Sequence, residues 1–188
     1  MLTADLRQDL VALRRDFHQH PEIAHEEYRT ADIVASRLRG LGLDEVRTGV
    51  GQTGVVGVLQ GGSAGRTVLL RADMDALPLA EADRGQAYRS TIDTAHHACG
   101  HDGHTAILLT VAGLLAEARS ELPGRVAFVF QPAEERVGGA VGMIDDGALD
   151  PPPDACFGLH LWNDLPVGTI DARPGPIYAN ADAFRLTL

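Results

Sequence analysis

The chain has 188 residues, of which 45% are hydrophobic and 22% charged. This balance is typical of a globular protein and too apolar for a disordered one. The formal net charge of −10 disfavours a nucleic-acid-binding protein, because neutralising phosphates requires a basic surface. The two cysteines, Cys99 and Cys156, and the lack of an apolar secretory stretch at the start predict a cytoplasmic protein without a disulfide scaffold. The most apolar long stretch, 107–118, is too short to cross a bilayer, so we expect no membrane span.

The first part of the chain predicts two helices. Apolar residues recur at helical spacing over 6–17, and Pro21 ends that pattern. A second helix is predicted over about 26–38, with Gly40 and Gly42 as stop signals.

Two short apolar runs then predict a β-hairpin. They span 55–59 and 67–70 and are separated by the glycine-rich turn 61–65. The second run ends in Asp73 and Asp75, so this strand is expected to deliver polar residues at its carboxyl end.

Helices and strands alternate through the rest of the chain. Helices are predicted over 104–118 and 138–146, and strands over 125–130, 155–161 and 166–171. This alternation predicts a three-layer α/β/α domain. The polar clusters follow the strand ends, where open α/β sheets place their ligands.

A boundary is expected near Pro174–Pro176. After it, residues 183–188 alternate apolar and polar side chains, like one strand of a half-exposed sheet. One strand cannot stand alone, so a second unit is expected to begin here.

The segment 96–104 contains four histidines around Cys99. In an extended segment Cys99 and His101 point the same way, and Gly100 lets the backbone bend. A thiolate and an imidazole on one side suit a borderline or soft divalent ion. The alternative is a solvated polar loop in which these residues cluster by chance.

A pair of carboxylates, Glu134 and Glu135, comes shortly after the predicted strand 125–130. Such a pair often opens a helix and interacts favourably with its dipole. At a strand end, with Gly138 and Gly139 behind it, the pair can instead divide two tasks. One carboxylate would bind a metal while the other accepts a proton from water.

Two further strand ends carry candidate residues. His160 lies at the end of the predicted strand 155–161, and a lone histidine there is often a core residue with a satisfied hydrogen bond. Asp73 and Asp75 could cap a turn before Pro78, although we expect Asp73 to orient a ligand or to hold Arg71. Cysteine, histidine and glutamate at one sheet edge are compatible with one ion or with two that share ligands.

Taken together, these motifs resemble the M20 metallopeptidases. The similarity is strongest to the bacterial and plant amidohydrolases that act on N-acyl amino acids, including hippurate hydrolase, aminoacylase-like enzymes and indole-acetyl-amino acid hydrolases. The most specific motifs are HACGHDGH and QPAEE. Further matches are RRDFHQHPEIAHEE, LLRADMDALPL and FGLHLWNDLPVGTI.

The resemblance implies a hydrolase with two divalent ions per complete site, with Mn, Zn, Co or Ni as candidates. It implies Glu134 as the general acid/base and Asp73 as a supporting acid of the catalytic site. The implied metal ligands are Cys99, His101, Glu135 and His160. The implied substrate is a small N-acyl amino acid.

The resemblance also implies a domain organisation. Residues 1–176 would form the N-terminal part of the catalytic domain, and 177–188 the start of an inserted α+β dimerisation domain, so that a full-length relative would be a homodimer. Family members are roughly twice as long and carry a further histidine ligand near their C-terminus. We therefore expect the 188-residue chain alone to be at most weakly active. His96 stands where the family usually has methionine.

Two other functions remain open from the sequence. One is a non-catalytic, truncated relative that binds metal and acts as an interaction module. The other is a cysteine hydrolase using Cys99, whose activity would survive a chelator but not an alkylating reagent.

Overall fold

A five-stranded mixed sheet organises the fold, and the computed structural model describes residues 3–136, 138–177 and 184–187. Besides one 3-10 turn at Arg119–Glu121, the helices are α1 (Ala4–Gln19), α2 (Tyr28–Gly40), α3 (His101–Glu117) and α4 (Gly139–Asp145). The strands are β1 (Glu45–Val50), β2 (Gly54–Gln60), β3 (Ser63–Asp73), β4 (Pro123–Gln131) and β5 (Ala155–Gly158).

The sheet order is β1-β2-β4-β3-β5. Strand β2 is antiparallel to both β1 and β4, whereas β3 is parallel to both β4 and β5. The carboxyl ends of β3, β4 and β5 therefore lie at one edge of the sheet.

The predicted hairpin between 55–59 and 67–70 is wrong. Both strands exist, but β4 lies between them, and β2 forms its hairpin with β1 instead. The link between β2 and β3 bends around the start of β4, where the Gly61 amide donates to Gly124 O at 2.8 Å and the Gly62 amide to Leu122 O at 2.9 Å. The glycine-rich turn therefore connects two strands that are not neighbours in the sheet, because β4 lies between them.

Strand β4 is buried on both faces, which confirms the three-layer α/β prediction. Phe128 and Phe130 are fully buried in a core shared with α1, α2 and α3. Ala127 and Val129 point to the opposite face and pack with Met143 of α4. A continuous apolar strand is what a sheet covered by helices on both sides requires.

Helix α1 packs on α3 through the predicted apolar stripe. Its start is capped by Thr3, whose hydroxyl accepts the Leu6 amide at 3.2 Å. Leu13 and Phe17 are buried, as their spacing predicts. Of the helices in the described ranges, none is long and apolar enough to cross a membrane.

Helix α3 begins at His101, three residues before the predicted start. Gly100 has φ +87°, a left-handed conformation that a glycine adopts without penalty. The chain therefore turns from Cys99 directly into the helix, so that His101 and His104 both belong to its first turn.

The region after β5 differs most from the prediction. Strand β5 ends at Gly158, so His160 lies in a loop, and the described residues 159–177 contain no strand. The predicted strand 166–171 is wrong: Val167 and Ile170 are exposed and have no neighbouring strand in the described part of the chain. Of the strand predicted over 183–188, residues 183 and 188 lie outside the described residues, and 184–187 have no strand conformation.

We predict that Phe17→Ala lowers the free energy of unfolding by about 3–5 kcal/mol, because Phe17 is fully buried and its truncation leaves a cavity in the core that α1 shares with α2 and α3. The matched control on the same helix is Val11→Ala, since Val11 is 38% exposed. The control should change stability by about 0.5 kcal/mol or less. Urea unfolding followed by circular dichroism measures both changes, and equal losses would contradict the observed packing.

Candidate metal centre

The candidate site lies at the sheet edge where β3, β4 and β5 end. Asp73 is the last residue of β3, Glu134 and Glu135 follow β4, and His160 follows β5. Helix α3 starts beside them with His101. Parallel strands thus bring together side chains that are far apart in the sequence.

His101 is at the centre of this group and is fully buried. Its Nδ1 lies 2.8 Å from Asp75 O and 3.2 Å from Asp75 Oδ1. When the ring is neutral, an Nδ1–H that donates to Asp75 leaves the lone pair on Nε2, and this is the form that can bind a cation. That Nε2 has no hydrogen-bond partner and lies 3.8 Å from both Glu134 Oε2 and Glu135 Oε1.

Cys99 and His160 lie close to the same imidazole. Cys99 Sγ is 3.4 Å from His160 Nε2. Cys99, His101 and His160 each offer one ligand atom, and these atoms lie within 4.8 Å of one another. His101, Glu134 and Glu135 satisfy the same condition, so that the two groups share His101.

These contacts fit a divalent metal ion. His101 Nε2 and Glu135 Oε1 are buried polar atoms without a partner, which is costly unless another group satisfies them. A thiol, two imidazoles and a carboxylate form a donor set suited to a borderline ion. The structure brings Cys99, His101, Glu135 and His160 together, and their role as ligands remains a prediction.

Asp73 lies beneath the centre as a buried anion. It is hydrogen-bonded to His104 Nδ1 at 2.6 Å and accepts from Arg71 Nη1 at 2.7 Å. Burial would raise the pKa of this carboxyl, but the His104 hydrogen bond and the charges of His101 and Arg71 outweigh burial and lower the pKa to about 2. Its predicted supporting role agrees with this position and stays a prediction.

His104 is a site residue that the motif analysis left without a role. While its Nδ1 contacts Asp73, its Nε2 accepts the Leu161 amide at 2.9 Å. It therefore fixes the loop that carries His160. The spacing in the sequence could have indicated this role, because His104 follows His101 by three residues and both rings therefore lie on one face of the helix.

Asp75 connects three parts of the site, a role that its motif did not predict beyond a possible turn cap. Its Oδ1 and Oδ2 accept the backbone amides of Glu134 and Glu135, each at 3.0 Å. Oδ1 also contacts His101. Asp75 is fully buried, so one carboxylate orients the central imidazole and both predicted acidic residues.

Glu27 supports the same loop from below and was also missed. Its buried Oε1 accepts the Ala133 amide at 2.9 Å, and its Oε2 accepts the hydroxyl of Thr53. Ala133 has φ +50°, which is uncommon for a residue with a side chain and requires such support. Behind the loop, a Cβ on Gly139 would clash with Pro132 O, which confirms that a close approach is needed there.

Two alternative interpretations of the sequence are wrong, namely the solvated histidine-rich loop and the glutamate pair that opens a helix. His97, His101 and His104 are buried, so the histidine-rich segment is not a solvated loop. Glu134 and Glu135 lie in a turn and do not open a helix, because α4 begins only at Gly139.

The electrostatic environment distinguishes Cys99 from Glu134. Burial raises the pKa of the Cys99 thiol to about 12, with a further contribution from Glu135. This disfavours a free thiolate nucleophile at neutral pH, whereas a bound cation would reverse the effect. Burial also raises the pKa of Glu134; the charge of His101 opposes this shift, and Asp73 and Glu135 add to it.

We predict that Asp75→Asn weakens Zn²⁺ binding by about 10–100-fold, because an amide nitrogen would face the backbone donors of the acidic loop. The free energy of unfolding should fall by about 1–3 kcal/mol. Competition with a chromophoric chelator and urea unfolding measure the two effects. Asp145→Asn, at an exposed position on α4, is the control, and unchanged Zn²⁺ affinity in Asp75→Asn would refute the positioning role.

A solved structure has the same fold and a related sequence. A Bacillus subtilis protein, described as a dinuclear metal-binding peptidase from the M20 family, matches with a TM-score of 0.87 and 39% identity. The match covers 93% of this chain and 48% of that one.

Curated relatives agree with this similarity. A putative amidohydrolase of Bacillus subtilis is 46% identical over 180 residues, covering 95% of this chain and 45% of the relative. The N-acyl-L-amino acid amidohydrolase of Geobacillus stearothermophilus is 40% identical over 184 residues, covering 97% and 49%. The chain thus spans about half the length of these relatives. The sequence profile of peptidase family M20/M25/M40 matches residues 69–185, and the chain belongs to this family.

Proposed function

We propose that this chain carries catalytic machinery of a metal-dependent amidohydrolase. The reaction would cleave the amide bond of an N-acyl amino acid to give a carboxylate and a free amino acid. The observation that carries the proposal is the placement of Glu134. It lies beside the candidate ligands His101 and Glu135, with its backbone fixed by Asp75.

The four candidate ligands come from three segments of the chain, because Cys99 and His101 belong to one continuous segment. His101 comes from α3, Cys99 from the preceding turn, Glu135 from the loop after β4 and His160 from the loop after β5. A divalent ion bound there supplies Lewis acidity, which polarises an amide carbonyl and lowers the pKa of water.

Glu134 would move the proton in this reaction. Its side chain is 41% exposed, so water and substrate can reach it, whereas His101 is buried. As a carboxylate it accepts the proton of the attacking water, and as the acid it then donates that proton to the leaving amide nitrogen. A carboxyl whose pKa is raised by its surroundings is suited to both halves of this cycle.

We infer that the chain alone turns over slowly and that its substrates are hippurate-like. The named activity of the Geobacillus stearothermophilus relative supports the N-acyl amino acid class. Slow turnover is supported by the length of the chain, about half that of its relatives.

We also infer that the protein works in a reducing compartment such as the cytoplasm. Cys99 and Cys156 are both free. Oxidation of Cys99 would remove a candidate ligand, because only the thiolate binds metal.

We predict that Glu134→Gln lowers hydrolysis of N-benzoylglycine and N-acetyl amino acids by about 100- to 10,000-fold, because the general base is lost. Release of the free amino acid by the metal-loaded chain measures this effect. Bound metal should not change, since Glu134 is not needed as a ligand. Glu117→Gln, at an exposed position on α3, is the matched control.

The outcomes separate the candidate functions. Hydrolysis that depends on both added metal and Glu134 supports the amidohydrolase. Bound metal without hydrolysis of any N-acyl amino acid favours the non-catalytic relative. Hydrolysis that survives a chelator but is abolished by alkylation of Cys99 would instead identify a cysteine hydrolase.

A further inference from the structure

A second cluster of ligand-type side chains lies on the other side of the α3 N-terminus. It consists of His18 on α1, with Glu81 and His96 from the long connection between β3 and α3. We propose that these three residues form an additional divalent metal site, separate from the centre around His101. The chemistry favours a borderline ion such as Zn²⁺ with a structural role.

The three ligand atoms lie within 4.8 Å of one another, and two of their spacings fit tetrahedral coordination. His18 Nε2 is 3.1 Å from Glu81 Oε1, and His96 Nε2 is 3.6 Å from the same oxygen. Metal–ligand bonds of about 2.0–2.1 Å at tetrahedral angles separate the ligand atoms by about 3.3 Å. The two observed distances lie on either side of this value, so only small side-chain shifts are needed.

His18 is oriented in the way that metal-binding imidazoles usually are. Its Nδ1 lies 2.8 Å from Asp102 Oδ2, and the same oxygen contacts Arg14 Nε at 2.8 Å. This contact directs Nε2 towards Glu81, in a carboxylate–imidazole–metal arrangement. The ring of Tyr88 packs edge-on against His18 with its centroid 5.5 Å away, which restricts rotation of the imidazole.

Glu81 is also held in place before any ion arrives. Its Oε2 accepts the Ser90 amide at 2.6 Å, and its Oε1 accepts Gln86 Nε2 at 2.6 Å. These donors fix the carboxylate plane. They leave Oε1 facing both imidazoles.

His96 makes no hydrogen bond through either ring nitrogen within the described residues. Its Nδ1 is buried and has no hydrogen-bond partner. The contact of Nε2 with Glu81, at 3.6 Å, is too long for a hydrogen bond. The Nε2 atom thus faces the Glu81 carboxylate without a hydrogen bond, and a cation bound between the two would stabilise this arrangement.

An ion here would stabilise a segment that lacks regular structure. Residues 78–95 contain no helix or strand. Long connections of this kind need another source of order, and a metal site supplies one by joining distant elements. Here it would fasten the connection to α1.

A protonated His18 between Asp102 and Glu81 would satisfy part of the same geometry, so the experiment must distinguish an ion from a proton. Equilibrium dialysis of the chain against Zn²⁺, followed by metal analysis, counts the bound ions. We expect His96→Met and Glu81→Gln each to bind one ion fewer than the unmodified chain. The control His20→Ala, a histidine just after α1, should bind the full number.

Co²⁺ spectra assign the lost ion to its site. The sulfur-to-cobalt charge-transfer band belongs to the Cys99 centre and should persist in His96→Met. In a Cys99→Ser, Glu135→Gln chain, ligand-field absorption should remain and should disappear when His96→Met is added. These readouts need no catalysis, so they can fail independently of the proposed hydrolase activity.

Unchanged Zn²⁺ stoichiometry in both His96→Met and Glu81→Gln would overturn the proposal and identify a proton-bridged cluster. If His96→Met or Glu81→Gln loses its helical circular dichroism, the Cys99→Ser, Glu135→Gln chain still tests the proposal. In that chain the cluster of His18, Glu81 and His96 is intact. The proposed site is supported if the Cys99→Ser, Glu135→Gln chain retains one bound ion and adding the control His20→Ala does not remove it. Complete loss of bound metal from that chain rejects it.

Discussion

The two hydrogen bonds from the Glu134 and Glu135 amides to Asp75 are the contacts on which the site depends. They join the end of one central strand to the loop that follows its neighbour, and each is 3.0 Å long. Because the same aspartate contacts His101, the loop and the helix are positioned by one side chain. The rigid sheet therefore holds the two carboxylates and the imidazole within a few ångströms of one another.

The centre combines paired and unpaired buried polar groups. Asp73 is satisfied by His104 and Arg71, so its burial is compensated. His101 Nε2 and Glu135 Oε1 are not satisfied, which costs folding free energy. These two unpaired atoms destabilise the folded state, and a bound cation would remove that cost.

The first turn of α3 serves two clusters at once. His101 faces the candidate catalytic centre, whereas the next residue, Asp102, faces His18 on α1. Consecutive helical residues point about 100° apart, so one turn can contribute to both. The candidate catalytic centre and the packing of α1 on α3 therefore depend on adjacent residues of the same helical turn.

The sequence by itself determined the α/β class, the helices α1 to α4 to within a few residues, and the candidate ligands and acids Cys99, His101, Glu134, Glu135 and His160. Helical periodicity predicts the helices. Short motifs predict the candidate ligands and acids, because Cys99 and His101 are two residues apart and Glu134 and Glu135 are adjacent. Only the tertiary structure decided that β4 lies between β2 and β3, and that Glu27 supports Ala133, 106 residues away. Strand order and buried side-chain contacts arise from long-range packing, which leaves little trace in local sequence patterns.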